Sequence, residues 1–151
     1  MITRKATIND LEMIEYFVIE AINEIDRYAK MGVNIEKVLN TIRSFIKDDK
    51  CGVVLLAEVN GIPVGGFIGG LSDEWQSDNH TAFDMINYVS PEFRSLGVAR
   101  ELAQRFISWA KSKGAYSVLC GTSTDVNTEH AVNLYGSMGF KNIGVFMELE
   151  L

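Results

Sequence analysis

The chain has 151 residues, 47% of them hydrophobic, and a formal net charge of −6 at pH 7. That length suits one globular domain, residues 1–151, burying roughly two thirds of the surface its unfolded form exposes. The acidic balance excludes a nucleic-acid backbone as main partner, because phosphate neutralisation needs a basic surface, and it suits a cationic amine. Thirteen glycines but only two prolines offer no linker at which to divide the chain. No run of about 18 apolar residues and no leader pattern points to a membrane or to export, so a cytoplasmic location is expected. Cys51 and Cys120 lie far apart without a C-x-x-C or a His-rich partner segment, so they read as reduced thiols, and no metal site is expected.

Taken in order, residues 2–7 predict a short strand, and Asn9 or Asp10 can cap the helix that follows. Leu11, Ile14, Val18, Ala21, Ile22 and Ile25 recur there at helical spacing until Gly32 and Asn34 interrupt the pattern. A second helix carries Ile35, Val38, Leu39, Ile42, Phe45 and Ile46 on one stripe. The segment between them, 26–33, reads either as a substrate-facing loop or as a plain helix end and connection. Residues 53–59 and 62–71 are apolar strands joined by Asn60-Gly61, a hairpin signal because both turn positions need positive φ. Pro63 lacks a ladder donor and belongs near a strand start or on an edge.

The polar stretch 72–80 predicts a loop, with Trp75 expected to pack over the sheet in preference to lining an acceptor pocket. Residues 81–89 form a strand whose simple alternation puts Phe83, Met85, Asn87 and Val89 on one face and Ala82, Asp84, Ile86 and Tyr88 on the other. A proline turn follows, and Arg94-Ser95-Leu96-Gly97-Val98-Ala99 opens a helix over 98–113 that Gly114 stops. The first N–H groups of a helix lack intrahelical partners and sit at the positive end of its dipole. A phosphate or pyrophosphate is therefore the expected guest, and the small side chains of Gly97 and Ala99 let it approach the main chain.

A strand over 115–120, a helix over about 126–138 and a terminal strand complete the pattern, with Val145, Met147, Leu149 and Leu151 alternating against polar neighbours in the last. The expected order is β-α-α-β-β-β-α-β-α-β. This describes a mixed α/β domain with a central sheet and about four helices, antiparallel in its first part. It is parallel where a helix crosses over between 81–89 and 115–120.

Two blocks carry a family resemblance. Val89-Ser-Pro-Glu-Phe-Arg94-Ser-Leu-Gly97-Val-Ala99-Arg100 is similar to the V-x-P-x-x-R/Q-x-x-G-x-G/A signature of the GNAT superfamily of acyl-CoA-dependent N-acyltransferases. Ala131-Val-Asn-Leu-Tyr135-Gly-Ser-Met-Gly139-Phe140 is similar to its A-x-x-L-Y-x-x-x-G-F block. The blocks are separated by a helix and a strand, as in that family, and the resemblance covers essentially the whole chain. A dinucleotide-binding Rossmann-like reading is poorer, because Gly-Val-Ala lacks G-x-G-x-x-G and no early β-α-β unit precedes it.

The resemblance implies that backbone amides of Arg94, Ser95, Leu96, Gly97, Val98, Ala99 and Arg100 take the pyrophosphate of acetyl-CoA, the cosubstrate. It implies that pantetheine inserts beside the strand ending at Tyr88 and Val89, whose main-chain groups bond its amides. Arg94 either adds a side-chain phosphate contact or only begins the turn. Tyr135 matches the tyrosine that hydrogen-bonds or protonates the departing sulfur. The reaction implied is direct attack of a neutral amine, from a small molecule or a protein or peptide, on the thioester, with the oxyanion meeting a backbone N–H near Val89.

Something must take the amine's proton. Asp84 leads, because a carboxylate inside an apolar strand is unusual and burial raises its pKa. Glu58, His80, Glu74 and a water chain are alternatives. Cys120 reads as an ordinary strand cysteine, His130 as an exposed helix residue, and Glu12, Glu15 and Glu20 as a solvated helix face.

The sequence departs from the family at three places. Where members often carry Asn seven residues before the tyrosine, this chain has Thr128, with Asn127 one residue early. Ser95 stands where Gly is common, and only about eleven residues follow Phe140 where many members have two strands. The sheet is therefore expected to lack an edge strand, and the open edge invites a homodimer. The alternative to an enzyme is a catalytically idle acyl-CoA-binding or regulatory module of the same fold.

Overall fold

A computed structural model describes residues 1–122 and 127–151. Among the described residues five strands lie in the order β1-β2-β3-β4-β5: Ile2–Lys5, Gly52–Val59, Ile62–Asp73, His80–Val89 and Ser117–Leu119. The first four pair antiparallel and β5 runs parallel to β4. The helices are α1 (Leu11–Asn23), α2 (Asp26–Met31), α3 (Ile35–Lys47), α4 (Val98–Ser112) and α5 (Thr128–Ser137).

The strand β2 is apolar along most of its length because both its faces are covered. Val53, Leu55 and Ala57 enter the core under α4 and α5, whereas Val54 and Leu56 enter the core under α1 and α3. Asn60 and Gly61 turn the hairpin at φ 53° and 77°, the left-handed pair expected of Asn-Gly. Asn34 caps α3 by accepting the Lys37 N–H at 3.0 Å.

Helix α4 seats on the sheet through Phe106, fully buried, whose ring lies 4.6 Å from that of Phe67 and 5.5 Å from that of Trp109. Its rim rests directly on the backbone of Gly69. A Cβ built there would stand 2.2 Å from Phe106 Cε2, so the glycines of β3 set how closely α4 approaches.

Three sequence expectations need correction. The segment 26–33, read either as a substrate-facing loop or as a helix end and connection, contains a short helix of its own, α2. The strand β5 is shorter than 115–120, because Ala115 still donates its N–H to Ala110 O at the end of α4. The terminal strand is absent: residues 141–151 form no strand, and Val145, Met147, Leu149 and Leu151 are at least 83% exposed. Alternation makes a strand only where a neighbour completes the ladder, and no described strand runs beside this segment. The predicted start of the last helix at 126 lies outside the described residues.

Gly69→Ala is expected to destabilise the fold by about 1–3 kcal/mol, the usual cost of forcing extra volume into a packed core. Urea denaturation checks this, and an unchanged midpoint would show that Phe106 withdraws freely.

Candidate active site

The site is organised by a change of phase in β4. Ile68 pairs with Ile86 but Gly69 pairs with Asp84, so Met85 is an extra residue on β4. Such a bulge reverses which face each later side chain points to. Simple alternation places Asp84 and Asn87 on opposite faces. With the bulge between them both point toward α4 and α5, while Ile86 and Tyr88 pack into the core under α1.

The same strand is hydrogen-bonded unequally. It pairs with β3 throughout, from His80 to Val89, but with β5 only at Thr81, Ala82 and Phe83. From Asp84 onward its second edge has no strand partner among the described residues. This free edge runs into a 3-10 turn at Pro91–Leu96 and then into α4. Gly97 stands at φ 75° just before the helix, and a Cβ there would meet no atom within 4 Å. The glycine is required by its backbone conformation, with open space in front of it. Glu101 donates to Gly97 O at 3.1 Å, so the amides of Val98, Ala99 and Arg100 precede the first intrahelical bond. Ser95 and Leu96 are exposed, and Val98 is buried as the anchor of the helix start.

Two arginines in this region are engaged within the protein. Arg94 donates from Nε to Val89 O at 2.8 Å and from Nη2 to Glu24 at 2.5 Å, and it lies over the Tyr88 ring at 5.7 Å. It therefore ties the turn to the end of β4 and to the end of α1, leaving the turn's outer face to the main chain. Arg100 donates to Ser137 Oγ on α5. Asn127 precedes α5 at φ 50°, and its carbonyl accepts the Ala131 N–H at 3.0 Å. Thr128 is exposed on the first turn.

At the other end of the free edge lies the ionisable cluster. Tyr135 is 7% exposed, packs its ring on Phe140, and donates its hydroxyl to Asp84 Oδ2 at 3.1 Å. Asp84 Oδ1 accepts the Gly121 N–H at 3.3 Å. Burial pushes the Asp84 carboxyl up to about 6, against the lowering effect of those two hydrogen bonds. Burial, followed by the Asp84 charge, pushes the Tyr135 phenol well above its ordinary range. Burial does the same to the Cys120 thiol beside them, so Cys120 is a poor nucleophile.

Asn87 is the member that sequence reasoning missed. Its Nδ2 donates to Ala99 O at 3.3 Å, and it also bears on the Tyr135 hydroxyl. Its Oδ1 is buried with no partner among the described residues. An amide in an apolar strand was a signal, but simple alternation assigned it to the face away from Asp84.

The other candidate bases are elsewhere. Glu58 pairs with Arg4 at 2.7 Å, in a network with Asp10 at the β1 edge. His80 lies 2.7 Å from Asp73, and Glu74 accepts from Thr81 at 2.5 Å, both at the far end of β4. Trp75 is 95% exposed and packs on nothing, contrary to expectation, because it sits at the tip of a polar hairpin. His130 is exposed. No cluster of three or more His, Cys, Asp or Glu fit to hold a metal occurs among the described residues, and no helix there is long and apolar enough to cross a membrane.

The site thus consists of a half-paired fourth strand that opens onto a helix N-terminus. A model of the Acetyltransferase (GNAT) family matches residues 11–140, and the chain belongs to that family. Among solved structures it is similar to an aminoglycoside acetyltransferase from an uncultured soil metagenomic sample, with 18% identity and TM-score 0.74 over 99% of this chain and 97% of the other. It is similar to glucosamine-6-phosphate N-acetyltransferase from Arabidopsis thaliana, with 17% identity and TM-score 0.71 over 99% and 97%. A tetramutant of the BH1408 protein from Bacillus halodurans matches at 18% identity and TM-score 0.78 over the full length of both chains. Likeness at this identity concerns the fold. No curated protein matches.

The Asp84 carboxyl ionises at the usual 3.8 when solvated, as in the unfolded chain, but keeps its proton up to about 6 in the fold. The native state therefore binds the extra proton, and stability is lost as pH rises from about 4 to about 6, by at most roughly 3 kcal/mol. Asp84→Asn is expected to remove this loss and to raise stability at pH 7. Denaturation midpoints from pH 4 to pH 8 for both proteins check it, and parallel curves would assign the pH dependence to another group.

Proposed function

We propose that this protein is an N-acetyltransferase that moves an acetyl group from acetyl-CoA to a primary amine by direct attack on the thioester. The observation that carries the reading is the edge of β4 from Asp84 to Val89, which has no strand partner among the described residues and runs into the amides at the start of α4. An extended chain bearing amides fits the edge, and a diphosphate fits the helix start. Acetyl-CoA has both parts, and when bound it supplies an activated acetyl group and a good leaving group.

The residues take distinct parts in this scheme. The amides of Gly97, Val98, Ala99 and Arg100 hold the diphosphate, while Gly97 permits the turn that aims them. Tyr88 and Val89 offer main-chain groups to the pantetheine, and a ligand amide that donates to Val89 O shares that carbonyl with Arg94. Asp84, ionised above about pH 6, accepts a proton from the incoming ammonium, directly or through water. Tyr135 remains a neutral phenol and hydrogen-bonds the departing sulfur. To do so its hydroxyl turns from Asp84, and Asn87 keeps the ring oxygen positioned while it does.

A primary amine is the acceptor class that suits the acidic chain. Two structural neighbours named for acetylation of an aminoglycoside and of glucosamine 6-phosphate make amino sugars a sensible part of any acceptor panel. Cys51 and Cys120 are free thiols, which suits a reducing compartment such as the cytoplasm.

Calorimetry with acetyl-CoA and thiol release across amino sugars, polyamines and peptide amines test the reading. Uptake with no release from any amine would make the protein a binding module, and no uptake would end the assignment. Tyr135→Phe is expected to lower kcat by about 100-fold, the lower end of acid–base contributions, with acetyl-CoA affinity unchanged; an unchanged kcat would leave Tyr135 a packing residue. In the parent enzyme kcat/KM should rise with pH through about 6, and this limb should disappear in Asp84→Asn.

Gly97→Glu combines an unfavourable φ with a negative charge at the helix start and is expected to weaken acetyl-CoA binding by more than about tenfold. Gly97→Asn, which tolerates the left-handed region, should retain binding. Equal affinity for both variants would move the diphosphate elsewhere.

A further inference from the structure

Among the described residues two buried side-chain polar atoms have no hydrogen-bond partner, Thr3 Oγ1 on the edge strand β1 and Asn87 Oδ1 beside Asp84 and Tyr135. A buried carbonyl oxygen without a donor is costly, because it has given up water and received no proton in exchange. Only the second of these atoms lies at the candidate site, and its surroundings sharpen the cost. Across the ladder Asn87 pairs with Phe67, which is fully buried, and Val89, next on that face, is buried in the same core under α4. Leucine has the same branching as asparagine and would fill the place without an orphaned atom.

The orientation of the amide follows from its neighbours. Ala99 O can only accept, so the nitrogen must face it, at 3.3 Å. The Tyr135 hydroxyl gives its one proton to Asp84 Oδ2 at 3.1 Å, so it has none for Oδ1. Asn87 acts on the phenol to lower its pKa, which is the effect of an N–H donor. Turning the amide over would oppose two carbonyl oxygens and relieve nothing. Among the described residues none supplies the proton that Oδ1 lacks.

Position points to the donor. Asn87 stands on the length of β4 whose second edge has no strand partner among the described residues, and as a whole it is only half-buried, at the margin of the core. The proposed function lays the pantetheine of acyl-CoA along this edge with its sulfur at the Tyr135 hydroxyl. In that molecule an ethylene spacer separates the sulfur from the nearest amide. A side chain that touches the sulfur's hydrogen-bond partner is therefore where that amide's N–H arrives. The acceptor's ammonium is the poorer match, because the Asp84 carboxylate nearby draws a cation more strongly than a neutral carbonyl does.

We propose, resting on that reading, that Asn87 is a cosubstrate-binding residue whose Oδ1 accepts the N–H of the pantetheine amide nearest the sulfur. The main chain of β4 holds the arm along its length, and Asn87 fixes the end that carries the thioester. Calorimetry with coenzyme A, and with an analogue whose amide nearest the sulfur is replaced by an ester, tests this without catalysis. The parent protein should bind the analogue about five- to tenfold more weakly than coenzyme A, the usual worth of one neutral hydrogen bond. Asn87→Leu should bind coenzyme A about as weakly as the parent binds the analogue, and should no longer tell the two ligands apart. Without ligand, its urea midpoint should lie at or above the parent's, since the orphaned oxygen is gone. If Asn87→Leu does not fold, Asn87→Ala provides the same binding comparison. Uptake of coenzyme A by the parent without discrimination against the ester, equal discrimination by parent and variant, or a lower midpoint for Asn87→Leu would each overturn the proposal and leave the proposed function standing. No uptake of coenzyme A by the parent would end both.

Discussion

The half-paired state of β4 is the constraint on which the rest depends. A strand inside a sheet normally satisfies its amides and carbonyls on both sides, and an unsatisfied edge in a protein interior is costly. Here the pairing with β3 is complete, whereas pairing with β5 stops at Phe83. The strand is thus held rigidly by one neighbour while its other edge stays available. The bulge at Met85 belongs to the same arrangement. It lets Asp84 and Asn87 share a face at the point where the second neighbour is lost, beside Tyr135.

Two electrostatic environments of opposite character lie at the ends of this edge. At the α4 end, the amides that precede the first intrahelical bond and the positive pole of a 15-residue helix favour a fully charged anion. At the Tyr135 end, burial disfavours charge on all three ionisable groups and raises each of their pKa values. The hydrogen bond from Tyr135 and the Gly121 amide keep Asp84 from rising further, and so leave it titrating close to working pH. A site built this way is suited to binding by charge at one end and to moving protons at the other, as the proposed function requires. Its rigidity comes from Phe106 lodged against Gly69, which sets α4, and hence the anion end, at a constant distance from the strand that carries the acid.

Arg94 shows how such a site is kept in shape when its edge is free. Its guanidinium takes the carbonyl of Val89 and the carboxylate of Glu24 while lying over Tyr88. The turn, the end of β4 and the end of α1 are joined by one planar group whose donors are fixed in direction. The turn before α4 is therefore braced by a side chain whose bonds lie within the protein.

Much of this was legible in the residues alone. The Asn60-Gly61 hairpin, the apolar stripe of α3, the crossover from β4 through α4 to β5, and the Gly97 turn follow from local rules. Turn residues need particular φ values, and buried faces need a fixed period. Asp84 was conspicuous because a carboxylate in an apolar strand is costly, and Tyr135 because of the block around it. What local pattern could not supply was phase and partnership. The extra residue at Met85 depends on how β3 and β4 align, so only the assembled sheet brings Asn87 to Asp84 and Tyr135 and sends Glu58, His80 and Glu74 elsewhere. The last strand was lost for the same reason: Val145, Met147, Leu149 and Leu151 alternate as a strand should, but a strand is a relation between two segments, and no second one pairs with it among the described residues.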